Sequence, residues 1–404
     1  MQLPEDFIIG MRATMGNSLF SRFMQGMEQE APVSIRLNPK KTVGMEPVDI
    51  AGKVPWCREG YYLSRRPTFT FDPLLHAGCY YVQEASSMFV THVLRQFVSE
   101  PVVALDLCAA PGGKTTAALT ALPSGSTLYA NEPVRQRAQV LSENVEKWGV
   151  EDITVTNNYP VDYQRTGLMF DVVLADVPCS GEGMFRKDPK AIGEWSLQHT
   201  VYCQSLQRDI VSDIWPCLRP GGLLVYSTCT LNTHENEENV AWICRELGAD
   251  VMAVETDSVW GITGSLLPGF DAPVYRFIPG VSCGEGLFMA VLRRNDGKPV
   301  SGMTSSRQVR HDTHQLNILS LSQREMQEGM TVNLSYADAI SYLQRQVLRL
   351  PPETPRGLIT VAFEGHPLGM VKNIGSRANN LYPQQWRIKT THIPNQYEAI
   401  LRYT

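Results

Sequence analysis

Between Val102 and Arg294 the chain alternates short, β-rich apolar runs with longer segments of helical spacing, and this alternation restricts the fold more than any other feature. VVALDLCA, STLYANE, DITVTN, FDVVLADVP, GGLLVYSTC and GLFMAVLRR read as strands. Several are nearly continuous in apolar residues, as in a parallel sheet buried on both faces. KTTAALTAL, VRQRAQVLSENVEKWG and residues 197–218 have helical spacing, and Gly149 stands where a helix C-cap glycine belongs. The order implies an α/β domain of Rossmann type, doubly wound, with ligands at the carboxyl ends of its strands.

The remainder divides around that core. Residues 1–78 combine an amphipathic start, SIRLNPKK and the Pro/Gly/aromatic stretch VPWCREGYYL, and are expected to form a small α+β unit. The α/β domain then takes residues 79–294, a polar linker 295–330, and a β-rich terminal domain 331–404. In the last, YADAISYLQRQVL reads as a helix and GLITVAFEGHPLGMVKNIG as a hairpin turning at Glu364 to Pro367.

Composition excludes several classes. No stretch approaches the roughly 18 uncharged apolar residues of a membrane span, and MQLPEDFIIG lacks the basic region and apolar core of a signal peptide. The expectation is a cytoplasmic protein, by default a monomer. Nine scattered cysteines without CxxC spacing argue against both a disulfide framework and zinc; no metal is expected. The net charge of −5 is uneven: residues 290–404 carry 14 Lys and Arg against 8 Asp and Glu, a local +6 that leaves −11 upstream. A basic tail on an acidic body permits an RNA partner.

The first strand runs through Asp106 into Cys108-Ala109-Ala110-Pro111-Gly112-Gly113-Lys114 before a helix begins. Small residues at such a turn let backbone approach a ligand, and the free N–H groups of the helix start can hold a polar group. The same segment approaches a phosphate-binding loop, G-x-x-x-x-G-K-[ST], with Cys108 in place of the first glycine, so an NTPase is a rival reading. Glu132, ending the second strand, favours an adenosine cofactor, whose ribose hydroxyls a carboxylate can accept.

Asp176-Val177-Pro178-Cys179 ends the fourth strand and Ser227-Thr228-Cys229-Thr230 the fifth. Either cysteine alone would be read as packing. Two at the ends of neighbouring strands beside a cofactor cleft suggest covalent chemistry. Carbon 5 of cytosine is too poor a nucleophile to take a methyl group from a sulfonium until a thiolate has added at carbon 6. A proton at N3, for which Asp176 is placed if protonated or sharing a proton, would draw electron density as the adduct forms. Removal of the carbon 5 proton then asks for a base, and two cysteines can divide these duties.

CAAPGGKTT, DVPCSGEGMFRKDP and YSTCTLNTHENEENV resemble the corresponding segments of the NOL1/NOP2/Sun family of RNA 5-methylcytosine methyltransferases. SIRLNP, AGCYYVQEASSM and GHPLGMVKNIGSRANNLYP are similar to its bacterial 16S ribosomal RNA branch, called F. The resemblance implies S-adenosylmethionine as methyl donor, Cys229 as nucleophile and Cys179 as the residue that assists product release. It places residues 108–114 at the methionine and ribose end of the cofactor, Glu132 at the ribose with Arg137 nearby, and Asp176 between cofactor and cytosine. Many members have an Asp after strand three where this chain reads Thr156-Asn157-Asn158-Tyr159-Pro160; Asn158 is the expected adenine contact, with Asn157 the alternative.

The terminal piece resembles a PUA-like RNA-binding domain, with Lys372, Arg377, Arg387 and Lys389 as candidate phosphate contacts. Arg186 and Lys187 are candidates for gripping RNA near the target base. The expected partner is ribosomal RNA or a ribosomal subunit, with transfer RNA, an NTPase and a non-catalytic assembly factor as alternatives.

Overall fold

The computed structural model describes residues 2–149, 151–295, 316–321, 330–390, 392–394 and 396–404. It opens with α1 (Glu5–Glu28), interrupted at Gly16, whose φ of 68° is not helical. A small antiparallel sheet follows, of β1 (Val33–Leu37), β3 (Ile50–Lys53), β4 (Gly60–Leu63) and β5 (Tyr80–Val82), in the order β3-β4-β1-β5. β2 (Met45–Pro47) stands apart from it, and α2 (Pro73–His76) is a single turn begun by Asp72, which caps Leu74 N–H.

After α3 (Phe89–Phe97) comes the main sheet: β6 (Val103–Asp106), β7 (Thr127–Asn131), β8 (Ile153–Thr156), β9 (Phe170–Asp176), β10 (Leu218–Thr228), β11 (Ala249–Met252), β12 (Tyr275–Phe277) and β13 (Leu287–Arg294). Its order is β11-β13-β10-β9-β6-β7-β8, with β12 also on β13. β6 to β10 pair in parallel, and β13 runs antiparallel beside β10. Helices α4 (Gly113–Ala121), α5 (Arg135–Trp148), α6 (Pro189–Glu194), α7 (Leu197–Ile214) and α8 (Glu237–Trp242) complete the core. Gly149 caps α5 with a φ of 77°, as its position implied.

All six strands read from the sequence are present. β11 and β12 escaped that reading because a charged residue, Asp250 or Arg276, interrupts each short apolar run. The strand order reverses between β6 and β9, and at such a switch point a crevice opens at the carboxyl ends of the strands. The loops carrying residues 107–113 and 177–182 flank that crevice.

The terminal unit has β14 (Thr331–Asn333), α9 (Tyr336–Leu343), β15 (Gly357–Phe363), β16 (His366–Asn373) and β17 (Ala378–Asn380), in the sheet order β14-β15-β16-β17. The expected hairpin turns at Glu364 and Gly365, with φ of 48° and 80°, the two positive values that suit tight antiparallel turns. α9 is shorter than YADAISYLQRQVL suggested. It stops because Arg345 takes a φ of 65° and sends its Nε to the Tyr382 carbonyl at 2.8 Å. The final strand β18 (Leu401–Tyr403) pairs with β2, and Ile35, Leu37 and Leu74 share one apolar core with Ile340, Leu343 and Leu401. N-terminal and terminal units are therefore packed together.

Of the expected linker, 296–315 and 322–329 lie outside the described residues. Residues 316–321 do more than connect. Asn317 and Leu319 hydrogen-bond Asn157 and Val155, and Ile318 bridges Thr156, so this piece covers the otherwise open edge of β8. Leu316, Leu319 and Leu321 join the cores on either side of the sheet.

Candidate active site

β9 and β10 are paired in register, Asp176 opposite Ser227. The chain leaves both strands within three residues of that pair, which brings Cys179 and Cys229 together with their Sγ atoms 3.1 Å apart. Gly183 N–H donates to the Cys229 carbonyl at 2.9 Å, and a Cβ on Gly183 would lie 2.4 Å from the Gly286 carbonyl and 2.9 Å from that of Cys229. Only glycine lets the two cysteine loops close to this distance. The hydrogen bond to Cys229, burial, and the charges of Cys229 and Glu235 push the Cys179 thiol well above its ordinary range.

Lys114, the second residue of α4, reaches across the switch point and places Nζ 2.9 Å from Asp176 Oδ2. Ser227 donates its hydroxyl to Asp176 Oδ1 at 2.7 Å. Burial works against the Lys114 charge, but Asp176, with smaller contributions from Cys229 and Asp106, outweighs it and holds the ammonium above its usual range. Asp176 therefore has a donor on each of its oxygens, one from α4 and one from β10.

The loop from Cys108 to Gly113 turns through Gly112, whose φ of 113° only glycine tolerates, into the start of α4. Beneath it Asp106 is wholly buried; Thr115 donates to Oδ2 at 2.6 Å, and Oδ1 has no partner among the described residues. Burial, against the Thr115 hydrogen bond, raises its carboxyl to about 7. Glu132 is also buried, accepting Val134 N–H at 2.9 Å, with Arg137 3.5 Å from its other oxygen. Arg137 in turn donates to the Ala110 carbonyl at 3.0 Å, tying the ends of β6 and β7 together. Two buried carboxylates with spare acceptor capacity, flanking a glycine turn at a helix start, fit a ligand bearing both hydroxyl and ammonium donors.

Asn158 exchanges backbone bonds with the Asn131 side chain, at 3.1 and 2.9 Å, and Asn131 also donates to the Leu107 carbonyl at 3.1 Å. Asn158 Oδ1 accepts Asn317 N–H at 3.0 Å, on the outer edge of β8. Asn157 donates its amide to the carbonyls of Glu132 and Pro133 at 2.7 and 2.8 Å. Arg186 requires correction. It is a structural clamp, pairing through Nε and Nη2 with Glu285 at 2.9 and 2.7 Å and donating to the carbonyls of Gly26 and Gly284. Following a Pro-Cys loop, a lone arginine looks like a hand for RNA; here a buried carboxylate from another segment claims it. Lys187 is exposed, as are Lys372, Arg377, Arg387 and Lys389.

Sequence reasoning missed the buried polar group beneath the cysteines: Ser180, Glu182, Thr230, Asn232 and Glu235. No local signal marked it: Glu182 lies in the loop SGEGM and Glu235 in the polar run HENEEN. It also missed the packing of α1, whose Phe7 meets Phe185 of the Pro-Cys loop with ring centroids 5.1 Å apart. Among the described residues no group of His, Cys, Asp or Glu could hold a metal, and no helix is long and apolar enough to cross a membrane.

The parallel sheet, its reversed order and the glycine turn at the switch point define a Rossmann-like methyltransferase core, with a small N-terminal domain and a terminal PUA domain. Family models match in succession: the N-terminal domain of 16S rRNA methyltransferase RsmF over residues 3–85, 16S rRNA methyltransferase RsmB/F over 97–293, and the methyltransferase RsmF PUA domain over 330–388. The chain belongs to this 16S rRNA methyltransferase RsmB/F family. It is 33% identical over 317 residues to ribosomal RNA small subunit methyltransferase F of Escherichia coli O127:H6, covering 74% of this chain and 64% of that protein. To its namesake of Salmonella heidelberg it is 28% identical over 471 aligned positions, covering 95% and 96%. The chain thus spans about two thirds of the first relative and nearly all of the second. Among solved structures it is similar to NSun6 from Pyrococcus horikoshii with SFG, at 22% identity and a TM-score of 0.59, covering 72% of this chain and 98% of that one.

Proposed function

We propose that this chain transfers a methyl group from S-adenosylmethionine to carbon 5 of a cytosine in RNA, with 16S ribosomal RNA as substrate. The observation that carries the proposal is the pair of sulfur atoms 3.1 Å apart at the ends of β9 and β10, beside the Lys114–Asp176 pair. Membership of the RsmB/F family and the PUA domain support RNA, and ribosomal RNA in particular. In this reading residues 1–78, 79–294 and 331–404 are the three domains, with 295–330 between the last two.

Residues 108–114 and Glu132 hold the cofactor, with Asp106 taking an ammonium donor and Glu132 the ribose hydroxyls. Bound there, S-adenosylmethionine supplies an electrophilic methyl group. Cys229 attacks carbon 6 of the cytosine as a thiolate, assisted by the nearby positive charge of Lys114. The Lys114–Asp176 pair holds a proton at N3 as electron density moves into the ring. Cys179 lies against the Cys229 sulfur; once its own proton has passed to solvent, its thiolate takes the carbon 5 proton as the carbon 6–sulfur bond breaks and Cys229 leaves as a thiolate. Asn157, against the Glu132 backbone, and Asn158, tied through Asn131 to the Leu107 carbonyl, are the candidates for the adenine side.

The proposal is tested by incubating the chain with S-adenosylmethionine labelled in the methyl group and, in parallel, a 16S rRNA transcript, small subunits or transfer RNA, then digesting each RNA to nucleosides. Label in 5-methylcytidine is expected. Label in any other nucleoside overturns the cytosine C5 chemistry, and label only in transfer RNA overturns the substrate.

A further inference from the structure

We propose that Glu235 is a positioning residue that holds Cys179 in place for product release, acting through Ser180, and is not needed for the attack by Cys229. The inference rests on the reading of the two cysteines given above. Cys229 follows directly on β10, whose last residue Thr228 is paired with Phe288 of β13, so the sheet itself places it. Cys179 lies three residues beyond the end of β9 and has no ladder to hold it.

What fixes that loop is a buried carboxylate. Glu235 is fully buried, and four donors converge on its two oxygens. Ser180 gives its N–H at 3.0 Å and its hydroxyl, Gln207 its amide at 2.7 Å and Asn232 its amide at 2.8 Å. Two of these come from the residue next to Cys179. Gln207 also donates to the Pro178 carbonyl at 2.9 Å, so the same group grips the loop on both sides of the cysteine. Glu182 is a second such acceptor, taking Leu231 N–H and Asn232 N–H, each at 2.8 Å, and Trp195 Nε1 at 2.9 Å. Its donors lie mainly on the Cys229 side and lock the two loops together. Every nitrogen donor to Glu235 is incapable of accepting, so an amide in its place would set N–H against N–H. The Glu235 charge also adds to the forces that keep the Cys179 proton in place.

The test compares Glu235→Gln, Ser180→Ala and Cys179→Ala in the full chain, using a 16S rRNA transcript and methyl-labelled S-adenosylmethionine. First-turnover methyl transfer is read by rapid quench, steady turnover by label in RNA, and the protein–RNA adduct on denaturing gels. For Glu235→Gln, loss of charge-assisted hydrogen bonds should cut steady turnover about 10-fold or more, with the first turnover within about 3-fold of the parent and adduct accumulating. Ser180→Ala, which keeps the backbone bond, should show the same split at smaller size and remains informative if Glu235→Gln fails to fold. Equal loss of first turnover and steady turnover in both variants, without adduct, overturns the inference and marks the network as general scaffolding. Absence of adduct with Cys179→Ala overturns the underlying reading of the cysteines instead.

Discussion

Replacing Arg186 by methionine separates two roles that predict opposite measurements. The guanidinium makes two charge-assisted bonds to Glu285 and donates to the carbonyls of Gly26 and Gly284, with side chains only 7% and 3% exposed. Removing one partner of a buried ion pair strands the other without solvent, at a cost of about 3–5 kcal/mol. For a folding unit of this size each kcal/mol lowers the melting temperature by roughly 2–4 °C, so a fall of roughly 6–20 °C is expected. Arg186→Met combined with Glu285→Met should recover much of the loss, because the stranded charge has gone. Calorimetric melting curves give the shift; RNA binding at several salt concentrations, well below the melting range, gives the phosphate contacts. A melting temperature within about 1 °C of the parent, together with a salt slope shallower by about one contact, would refute the clamp and restore Arg186 to the RNA surface.

Two further outcomes follow from the packing of the terminal unit. Leu401→Ala opens a cavity in the shared core and should cost about 2–5 kcal/mol, with faster amide exchange at Met45–Pro47 and unchanged exchange in β9 and β10; uniform acceleration everywhere would contradict it. Asp72 is pushed to about 6 by burial, against hydrogen bonds from Tyr80, Leu74 and Tyr397. Since its ordinary value is 3.8, the folded state keeps a proton that the unfolded chain releases. That contribution is complete below about 4 and is lost as pH rises through about 6. Asp72→Asn should therefore flatten the decline of melting temperature across that interval, and an unaltered decline would assign it to other groups.

The main sheet was legible because its strands are long apolar runs that only a doubly covered parallel sheet can bury, and because Gly149 and the turn at Gly112 and Gly113 punctuate it. The cysteine pair was legible for the same reason: strands that must be neighbours bring their ends together. What the sequence hid is long-range partnership. Arg186 reads as a free cation until Glu285, 99 positions away, is seen to meet it. Residues 316–321 read as linker because a six-residue stretch has no period, yet the open edge of β8 supplies the hydrogen bonds it needs. Glu182 and Glu235 were not singled out at all, since no local pattern reveals that four donors will surround each.

The direct test of the covalent account is the fate of labelled RNA with each cysteine replaced in turn. Cys179→Ala should accumulate a protein–RNA adduct that survives denaturing gels, while Cys229→Ala should form no adduct and transfer no methyl group. An active Cys229→Ala enzyme, together with a Cys179→Ala variant that traps nothing, would contradict it.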